Sequence, residues 1–433
     1  MLKRIIKKLV PKFLLSAYHW SLAKIAAIYY RHPSDELIVI GVTGTNGKTT
    51  TVNFISQILE CLDQKTGLAS TVNFKVADKE WLNDKKMTML GRFQTQKLLR
   101  QMVDKGCRYA IIETSSQGID QYRHVGVNYD VAIFTNLSPE HIEAHGGFKN
   151  YRAAKEKLFY HLSKSKKKKI DEHVIDKTII SNADDDETDR LKEILVDQFI
   201  TYGFNNSCDY QGKHILLDDG LAALEIENHI IKTKILGKFN NYNLLAALVS
   251  ARILGFDIEE IANCQISGVP GRQEFIDNKE KFKILVDYAP EPQSLKHLYK
   301  AIELLPKQRL IHVIGSCGGG RDIARQPILG ELAGQKASVV IVTNEDPYND
   351  DPQKIIDNVA EGAIKAGKEL DKNLFKILDR REAIKKALVL ANDDDLVLIT
   401  GKGAEQFICG ANGKKIAHDD RQVVRELLKT IKK

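Results

Sequence analysis

The stretch Val39–Thr51 reads VIGVTGTNGKTTT and joins an apolar run to a glycine-rich loop, a lysine and three threonines. The residues ELIVIGV (36–42) predict a buried strand, and TTVNFISQILECL (50–62) has the periodicity of a helix. The glycines allow backbone amides to turn inward around an anion, and the helix adds the positive end of its dipole. Lys48 can then reach the outer phosphates, and Thr49 can ligate magnesium. The stretch therefore predicts a phosphate-binding loop between a strand and a helix.

The length and composition are those of a soluble globular protein. At 433 residues the chain is too long for one ordinary core, so two or three domains are expected. The formal net charge of +7 raises the question of a nucleic-acid partner. The lysines are scattered, however, and no platform of aromatic and basic residues occurs, so we expect no nucleic-acid binding.

The cysteines are far apart in the sequence. They form neither a CxxC pair nor a cysteine and histidine cluster with the spacing of metal ligands. We therefore expect reduced, mostly buried thiols in a cytosolic protein. The six positions are Cys61, Cys107, Cys208, Cys264, Cys317 and Cys409.

The N-terminal segment, residues 1–36, differs from the rest of the chain. Residues 2–12 (LKRIIKKLVPK) are basic and apolar, and residues 13–30 (FLLSAYHWSLAKIAAIYY) follow with only His19 and Lys24 to interrupt them. No small-residue cleavage site follows, and the run is marginal as a membrane span. The pattern predicts an amphipathic helix packed on the protein, and attachment to an anionic membrane surface is the alternative.

Two α/β patterns follow in the chain. After the first strand come buried strands RYAIIET (108–114) and YDVAIFTNL (129–137), while SKSKKKKI (163–170) predicts a solvated loop because like charges repel. Residues 198–236 have the alternation of a small antiparallel sheet. Beyond the linker Pro270-Gly271, four further buried strands alternate with helices. We therefore divide the chain into residues 1–36, 37–270 and 271–433.

From about residue 37 to the C-terminus, a series of motifs resembles the Mur ligases, the ATP-dependent amide-forming enzymes of peptidoglycan synthesis. The longest, ETSSQGIDQYRHVGVNYDVAIFTNLSPEHIEAHGGFKNYRAAKEKLF (113–159), is similar to a segment of MurE-type ligases. The others, in order around it, are TGTNGKTT, GKFNNYNLLAA, GVPGRQE, VDYA, GSCGGGRD, GKGAEQF and HDDR. The resemblance implies a central P-loop ATPase domain with a parallel sheet and a C-terminal Rossmann-like α/β domain.

The resemblance also implies residues for ATP and for two magnesium ions. Thr49 and Glu113 would ligate the first magnesium, and His141 the second. Lys155 matches a lysine that these ligases carry as a carbamate, an anion able to bind magnesium. Arg272 would meet the γ-phosphate when the domains close, with Asp287 nearby. The implied nucleotide residues are Gly44, Thr45, Asn46, Gly47, Lys48, Thr49, Thr50, Asn240, Asn243, Arg272 and Asp287, and the implied catalytic residues are Lys48, Glu113, His141, Lys155 and Arg272.

Two further groups of residues are implied for the substrates. The muramoyl acid would contact Thr88, Ser115, Gln121 and Arg123. The incoming amino acid would bind in the C-terminal domain, where Arg321 suits an α-carboxylate and Glu405 suits an ammonium group. The remaining residues implied for the amino-acid pocket are Asp322, Asp346 and Gly401.

Several positions depart from the family pattern. Only 36 residues precede the first strand, where the family has a uridine-nucleotide domain, so the uridine-diphosphate end of a donor is expected to have fewer contacts and a lipid-linked substrate is an alternative. Tyr348 replaces an arginine that reads a diaminopimelate carboxylate, and Pro290 and Ala404 each replace a histidine. The segment that contacts the sugar reads KMTMLGRF (86–93), in which Thr88 and Arg92 are the polar candidates.

The expected reaction has two steps. ATP phosphorylates a peptide or lactoyl carboxylate, and an amino-acid amine then attacks the acyl phosphate and releases phosphate. We expect a cytoplasmic monomer, and a position at the inner face of the membrane is the alternative. The alternatives are a ligase for another acid, of folylpolyglutamate or cyanophycin type, and a P-loop ATPase that makes no amide bond.

Overall fold

The computed structural model describes residues 11–138, 145–217, 221–320 and 323–431. Three of the expected site residues, His141, Arg321 and Asp322, lie outside the described residues. The chain divides into two compact units. Unit 1 comprises residues 1–215, 223–232 and 240–266, and unit 2 comprises residues 216–222, 233–239 and 267–433.

The helices and strands alternate along most of the chain. The helices are α1 (Lys12–Tyr29), α2 (Lys48–Cys61), α3 (Arg92–Asp104), α4 (Ser116–Asp120), α5 (Phe148–Ser163), α6 (Thr188–Leu191), α7 (Phe239–Ile253), α8 (Ile258–Ala262), α9 (Pro292–Glu303), α10 (Arg325–Lys336), α11 (Pro352–Lys365), α12 (Arg380–Leu390) and α13 (Asp420–Thr430). The strands are β1 (Ile38–Thr43), β2 (Thr66–Ala69), β3 (Asn73–Val76), β4 (Lys79–Leu82), β5 (Tyr109–Glu113), β6 (Val131–Phe134), β7 (Lys168–Ile170), β8 (His173–Ile175), β9 (Thr178–Asn182), β10 (Gln198–Gly203), β11 (Tyr210–Gln211), β12 (Lys213–Leu216), β13 (Leu221–Ile226), β14 (His229–Leu236), β15 (Glu274–Phe275), β16 (Lys283–Asp287), β17 (Leu310–Ile314), β18 (Val339–Thr343), β19 (Leu374–Ile377), β20 (Leu396–Thr400), β21 (Phe407–Cys409) and β22 (Lys415–Ala417).

The main sheet of unit 1 has nine strands in the order β11-β10-β9-β6-β1-β5-β2-β3-β4. The pairings from β11 to β2 are parallel, and β3 and β4 extend the sheet as an antiparallel hairpin. β1, β5 and β6 are buried along their whole length, as parallel strands covered on both faces are. Their carboxyl ends meet at one edge of the sheet, where ligands bind in open α/β folds.

The main sheet of unit 2 has six strands in the order β15-β16-β20-β17-β18-β19. All pairings are parallel except the short antiparallel pair of β15 and β16. Two apolar clusters, one of them including residues of α9, α10 and α11 and the other residues of α12 and α13, pack with these strands. The expected α/β fold, with a parallel sheet in each half of the chain, is confirmed.

Two expectations about the strands were wrong or incomplete. Residues 198–203 form β10 of the large sheet, parallel to β9, whereas we expected the start of a small antiparallel sheet. The sequence interpretation also missed β9 and β19, because short apolar runs between loops carry little periodic signal. A separate three-stranded sheet, β12-β13-β14, does occur in the later part of the expected segment.

The lysine run at residues 163–170 is not only a solvated loop. It enters β7, and Lys168 is buried with its ammonium group against the Asp130 carboxylate and the Leu37 carbonyl. Lys177 donates to the other oxygen of Asp130, 3.0 Å away. Burial lowers the pKa of Lys168 to about 8, although Asp130 acts to raise it. Charge repulsion along the run is overcome here because one buried carboxylate serves two lysines.

The N-terminal helix α1 packs on unit 1 through small residues, as the sequence predicted for the packed alternative. Ala23, Ala26 and Ala27 are fully buried. A Cβ atom at Gly126 would lie 2.8 Å from the Ala23 carbonyl oxygen, so the helix approaches a backbone that has no side chain. After the helix, Arg100 of α3 donates to the carbonyl oxygens of residues 30 and 31. No helix in the described part of the chain is both long and apolar enough to cross a membrane.

The expectation that the cysteines are reduced was wrong for one pair. Cys61, the last residue of α2, is disulfide-bonded to Cys264, two residues after α8, with a Cα–Cα distance of 5.8 Å. The remaining four are free thiols, and three of these are buried. The pair is separated by 203 residues, so local spacing in the sequence could not reveal it.

Candidate functional site

The phosphate-binding loop joins β1 to α2 and contains two glycines whose backbone leaves no room for a side chain. Gly44 has a φ of 151°, and a Cβ atom there would lie 1.9 Å from Thr135 Oγ1. Gly47 precedes α2 with a φ of 86°, and its Cβ atom would lie 2.0 Å from Asn243 Oδ1. These close approaches let the chain turn sharply into α2, whose first amides are directed towards the loop.

The middle of the loop is held by residues that follow β6. The Thr45 amide donates to the Asn136 carbonyl at 2.8 Å, and the Asn46 amide donates to Asn136 Oδ1 at 2.9 Å. Thr135 Oγ1 donates in turn to the Asn46 carbonyl at 2.7 Å. The loop is therefore fixed before any ligand binds, which lowers the cost of ordering it around a phosphate.

Two lysines from different helices converge on one carbonyl of this loop. Lys48 Nζ donates to the carbonyl oxygens of Gly44 and Thr45 at 3.0 and 2.7 Å. Lys155, only 3% exposed, donates to the same Gly44 oxygen, and its amine lies 4.5 Å from the centre of the Tyr151 ring. The structure thus places Lys155 at the phosphate-binding loop, which its position in a helix rich in lysine could not show.

A carboxylate and a hydroxyl group at the same edge fit a magnesium ion. Glu113 ends β5, is 2% exposed, and accepts a hydrogen bond from Thr49 Oγ1 at 3.0 Å and from the Thr71 amide at 2.7 Å. Thr50 lies beside Thr49 in the buried first turn of α2. Magnesium prefers such oxygen ligands and retains water and phosphate oxygens in its other positions. The described residues include no group of three His, Cys, Asp or Glu side chains that could hold a metal.

The two asparagines expected near the nucleotide lie against the loop itself. Asn243 Nδ2 donates to Asn240 Oδ1 at 2.9 Å, and Thr51 Oγ1 is 3.4 Å from Asn243 Oδ1. Because that same oxygen faces Gly47, the asparagines and the loop pack as one layer. Asn240 and Asn243 are both buried.

Two of the residues expected to contact the muramoyl acid, Thr88 and Ser115, lie near Glu113. Thr71, whose amide donates to Glu113, donates through its hydroxyl group to Thr88 Oγ1 at 3.0 Å. Ser115 follows β5 by two residues and accepts a hydrogen bond from the Gly118 amide at 3.2 Å, which caps α4. These residues, which are expected to contact the muramoyl acid, therefore lie next to the carboxyl end of β5.

Arg123 and Gln121 lie just after α4. The Arg123 guanidinium donates to Gln121 Oε1 at 2.7 Å and to the Met89 carbonyl oxygen. Burial lowers the pKa of Arg123. These contacts join the end of α4 to the segment that carries Thr88, so the four expected residues belong to one region of unit 1.

In unit 2, Arg272 and Asp287 are neighbours, as expected. Asp287 ends β16 and accepts hydrogen bonds from the amides of Gln273 and Ala289 at 2.7 and 2.8 Å. Burial raises the pKa of Asp287, and the charge of Arg272 acts to lower it. The Arg272 guanidinium lies 4.5 Å from the centre of the Tyr288 ring, which holds its plane in place.

The amino-acid residues expected in unit 2 gather around a lysine that the sequence interpretation left unassigned. Lys402 is fully buried, and its ammonium group lies 3.0 Å from Asp346 Oδ1 and 2.6 Å from Glu405 Oε2. Gly401, with a φ of 107°, precedes it. The Asp346 and Glu405 carboxylates are thus both paired with Lys402. The feature of the sequence that could have drawn attention to Lys402 is its position between two glycines in the GKG motif.

A second buried carboxylate lies beside this cluster. Glu345 accepts a hydrogen bond from Cys317 Sγ at 2.7 Å, and a Cβ atom at Gly401 would lie 2.4 Å from Glu345 Oε2. Burial raises the pKa of Glu345. Gly401 is therefore required for the close approach of β20 to this side chain.

Comparison with known proteins agrees with this arrangement. Residues 42–251 match the Mur ligase middle domain, and residues 271–403 match the glutamate ligase domain of Mur ligases. The chain belongs to the Mur ligase family. The ligase is 34% identical over 426 residues to the UDP-N-acetylmuramoyl-L-alanyl-D-glutamate–2,6-diaminopimelate ligase of Bacillus cereus, and 36% identical over 428 residues to that of Geobacillus kaustophilus. Each alignment covers 97% of this chain and 84% of the relative.

Solved structures show the same fold. A structure of a UDP-N-acetylmuramoyl-L-alanyl-D-glutamate–2,6-diaminopimelate ligase has a TM-score of 0.61 and 29% identity, covering 91% of this ligase and 78% of that chain. Folylpolyglutamate synthase of Mycobacterium tuberculosis has a TM-score of 0.69 but 14% identity, over 94% of this chain and 95% of that one. The second likeness shows the fold alone. The resemblance stated from the motifs is confirmed, and the ligase is an ATP-dependent enzyme of this family.

Two departures of the ligase from the family motifs have local packing reasons. Tyr348 has a φ of 53°, and a Cβ atom at Gly319 would lie 2.6 Å from its ring, so the ring covers the glycine-rich turn. Ala404 is buried against Gly271, where a Cβ atom would lie 2.0 Å from the Ala404 amide nitrogen. The loop before β15 and the loop after β20 therefore touch through their backbones.

The sequence interpretation missed one histidine near the phosphate-binding loop of the ligase. His145 is buried, with Nδ1 2.9 Å from an Asp120 carboxylate oxygen and Nε2 3.1 Å from Ser116 Oγ. Its ring centre lies 5.3 Å from that of Tyr151, whose hydroxyl group is 3.0 Å from Thr45 Oγ1. The histidine lies in the same motif as His141, but only the fold shows which neighbours it has.

Proposed function

We propose that the ligase joins the amine of an amino acid to a carboxylate of a muramoyl peptide in peptidoglycan precursor synthesis. The relatives quoted above carry the name of that reaction. One observation carries the proposal. A phosphate-binding loop, the Thr49 and Glu113 pair, and a buried lysine lie at one edge of a sheet, in a chain that matches these ligases along almost its whole length.

The first step would be phosphoryl transfer to the acid. A carboxylate oxygen of the substrate attacks the γ-phosphorus of ATP, the bond to the ADP oxygen breaks, and an acyl phosphate forms. The loop amides and Lys48 would hold the phosphates, and Arg272 would offset charge on the transferred group. Thr88, Ser115, Gln121 and Arg123 would orient the acid. Little covalent chemistry is left to side chains, so positioning and charge carry the rate.

The second step would be amide formation. The amino-acid nitrogen attacks the acyl carbon, the bond to phosphate breaks, and the amine loses a proton as inorganic phosphate leaves. We propose that the unit 2 residues around Lys402 shape the amino-acid site, with Arg321 for the α-carboxylate. Tyr348 cannot form the charged fork of an arginine, so an amino acid other than diaminopimelate is favoured. The remaining pocket residues in this proposal are Asp322, Asp346, Gly401 and Glu405.

Magnesium would supply positive charge at the phosphates. Thr49 and Glu113 would hold one ion, and His141 with a carbamate on Lys155 would hold a second. The position of Lys155, buried at the phosphate-binding loop, supports the carbamate, because the anion formed from an amine and carbon dioxide could bind magnesium there. Carbon-13-labelled bicarbonate should give a carbamate resonance in the wild-type protein, and Lys155→Arg should abolish it.

The remaining proposals concern the state of the enzyme in the cell. We propose a cytoplasmic monomer whose N-terminal helix contacts the inner face of the membrane. Sedimentation of the purified chain over a tenfold concentration range should give one mass, that of a single chain.

An ADP-release assay tests the function. The enzyme is given ATP, magnesium, bicarbonate, muramoyl peptides and each amino acid in turn, and the product is identified by mass spectrometry. We expect ADP release to depend on one amino acid and a new amide in the product. ATP hydrolysis indifferent to every amino acid would favour an ATPase without ligase activity, and activity only with folate or cyanophycin acceptors would favour the other ligases.

A further inference from the structure

The N-terminal helix α1 carries an apolar stripe on the side that faces away from the protein. Leu14, Tyr18, Ile25, Ile28 and Tyr29 follow one another at helical spacing, so they share one side of the helix. Between 49% and 72% of each residue is exposed. The opposite side is the buried alanine face described above. Large exposed side chains in a continuous row mark an interaction surface.

The charge of the N-terminal segment, read from the sequence, bears on what can cover this stripe. The first 34 residues contain seven Lys or Arg residues and no Asp or Glu. A basic segment next to an apolar helical face is the composition of helices that lie in the surface of an anionic bilayer. A second copy of the chain would bring the same positive charge to the same face, which disfavours self-association.

Two guanidinium groups lie near the helix without a carboxylate partner. Arg92, at the start of α3, donates to the Gln121 carbonyl oxygen, and Arg123 donates to the side chain of the same residue. Within the described residues neither forms an ion pair, and the buried Nε of Arg92 has no hydrogen-bond partner. Burial and the charge of Arg123 both lower the pKa of Arg92, so a dianion placed there would relieve the repulsion.

A series of contacts connects Glu113, the carboxylate proposed to bind magnesium and called the metal carboxylate below, to this arginine pair. Thr71 joins Glu113 to Thr88, and Arg123 donates to the carbonyl oxygen of the residue after Thr88. The segment that carries Thr88 therefore has the metal carboxylate on one side and the arginine pair on the other.

The helix adjoins the arginine pair. Tyr18 of the stripe is close enough to Arg92 to act on its pKa in the raising direction, against burial and Arg123. The rings of Tyr29 and Phe93, which follows Arg92, have their centres 6.2 Å apart. The order along unit 1 is thus metal carboxylate, acid-binding segment, arginine pair and apolar stripe.

We propose that this face takes a membrane-anchored substrate. The stripe of α1 enters the surface of an anionic bilayer, and Arg92 with Arg123 binds the phosphate or pyrophosphate that joins the muramoyl group to a lipid carrier. The inference rests on the ligase function proposed above and names the form of its acid substrate. The site holds the substrate, and no bond is made or broken there.

Vesicle sedimentation tests the helix. The full chain is mixed with vesicles of phosphatidylcholine alone or with one third phosphatidylglycerol. We expect binding to the anionic vesicles and about tenfold weaker binding for the double variant Ile25→Gln, Ile28→Gln, because each change removes an apolar side chain from the bilayer. The matched control is Val174→Gln, Leu195→Gln, which alters two exposed apolar residues outside the stripe and should bind as the wild type does.

Kinetics with three donors test the arginine pair. The donors are a lipid-pyrophosphate muramoyl peptide in anionic vesicles, the uridine-diphosphate form in solution, and a muramoyl peptide without phosphate. We expect the highest kcat/KM for the lipid form, and we expect Arg92→Gln to raise its KM about tenfold with kcat unchanged. For the phosphate-free peptide, Arg92→Gln should raise KM much less than it does for the lipid form, because that peptide has no phosphate for Arg92 to bind. Arg190→Gln, at an exposed arginine of unit 1, is the control and should match wild type with all donors.

Four outcomes would overturn the inference, and they differ from failure of the ligase function. Ligase activity on the uridine-diphosphate donor with no vesicle binding would reject it and leave the function intact. If the wild-type chain is a dimer and the double variant Ile25→Gln, Ile28→Gln is a monomer, the apolar stripe binds a second copy of the chain instead of a membrane. Equal effects of Arg92→Gln on all three donors would show that the arginine pair does not bind the phosphate of the donor. If vesicles bind but no donor yields an amide, the proposed function fails first.

Discussion

At the carboxyl ends of the two main sheets, the charged side chains have different kinds of partner. In unit 1, the amines of Lys48 and Lys155 donate to a main-chain carbonyl of the phosphate-binding loop, and Glu113 accepts from a hydroxyl group and an amide. In unit 2, carboxylates and cations face one another directly, as Lys402 does with Asp346 and Glu405. The contacts described at the first edge join these side chains to main-chain and hydroxyl groups, whereas Lys402 at the second edge is paired with two carboxylates.

The kind of partner determines how a charged side chain responds to a bound ligand and to a substitution. A charged side chain held by neutral dipoles is stabilised when a phosphate or a metal ion of opposite charge binds beside it. A buried ion pair gains nothing further, and it loses several kcal/mol when one partner is removed. Changes at Lys48 and Glu113 should therefore alter catalysis, whereas a change at the fully buried Arg380–Asp420 pair should alter the stability of unit 2.

Lys48→Ala should have the largest effect and tests the first half of the comparison. Loss of the amine from the phosphate-binding loop should lower kcat about 1000-fold, because one preorganised donor to a developing charge contributes on that scale. The measurement is ADP release with saturating ATP. Lys97→Ala removes an exposed lysine of unit 1 and should leave kcat unchanged. Near-normal activity of Lys48→Ala would show that the loop lysine is scaffolding after all.

Asp420→Asn tests the second half. Asp420 holds Arg380 through two contacts of 2.7 Å, and both side chains are fully buried. The substitution leaves a buried guanidinium without its charge partner and should lower the free energy of unfolding by about 3 kcal/mol. Urea unfolding followed by circular dichroism measures this loss. An unchanged midpoint would mean that the carbonyl oxygens of Asn344 and Thr400, which also accept from Arg380, are sufficient to hold its guanidinium group.

Glu113→Gln keeps the shape of the side chain and removes its charge. We expect it to raise the magnesium concentration required for half-maximal activity about 100-fold, because an amide oxygen is a weaker ligand than a carboxylate. Magnesium titration of ADP release gives the value, and the urea midpoint serves as the control. If the variant instead unfolds readily at unchanged magnesium requirement, Glu113 belongs with the structural carboxylates.

The pH dependence of stability sharpens the comparison within unit 2. His312 is fully buried between Tyr299 and Thr400, and burial followed by the charge of Arg380 lowers its pKa to about 3. Its unfolded pKa is about 6.5, so the unfolded chain binds more protons below that value, and the stability present above pH 6.5 is lost as pH falls towards 3. We expect a loss of about 3 kcal/mol at this site between pH 7 and pH 4, measured as the difference between wild type and His312→Gln. Parallel pH curves for the two proteins would contradict it.

Arg381→Ala should have the smallest effect. Its partner Glu426 lies at 2.6 Å, but both side chains are 43% exposed, and such pairs contribute little because water and salt screen them. The urea midpoint should not change within error. A loss comparable to that of Asp420→Asn would show that distance rather than burial ranks the ion pairs of unit 2.

The sequence was most informative where chemistry and local structure coincide. The phosphate-binding loop, the strands that end in Glu113 and Asp287, and the order of the two α/β halves all follow from glycine spacing, apolar runs and motif order. Each of these features is local, since a strand, its terminal residue and the next turn lie within about ten residues of one another.

The structure changed the interpretation where partners are distant in the chain. Lys168 looked like one of a row of solvated lysines until Asp130 came beside it, and Cys61 meets Cys264 across 203 residues. The motif draws attention to Lys402 between two glycines, but only the structure shows that it pairs with both carboxylates assigned to the amino acid.

The amino-acid sequence by itself determined the family, the nucleotide loop and the fold class of each half of this protein. Only the tertiary structure decided which side chains meet at the phosphate-binding loop, which buried charges are paired, and that a helix with an apolar outer face adjoins two arginines that form no ion pair within the described residues. The physical reason is that pairing and burial depend on distances between residues far apart in the chain, and the free energy of a charge is set by those neighbours rather than by its place in a motif.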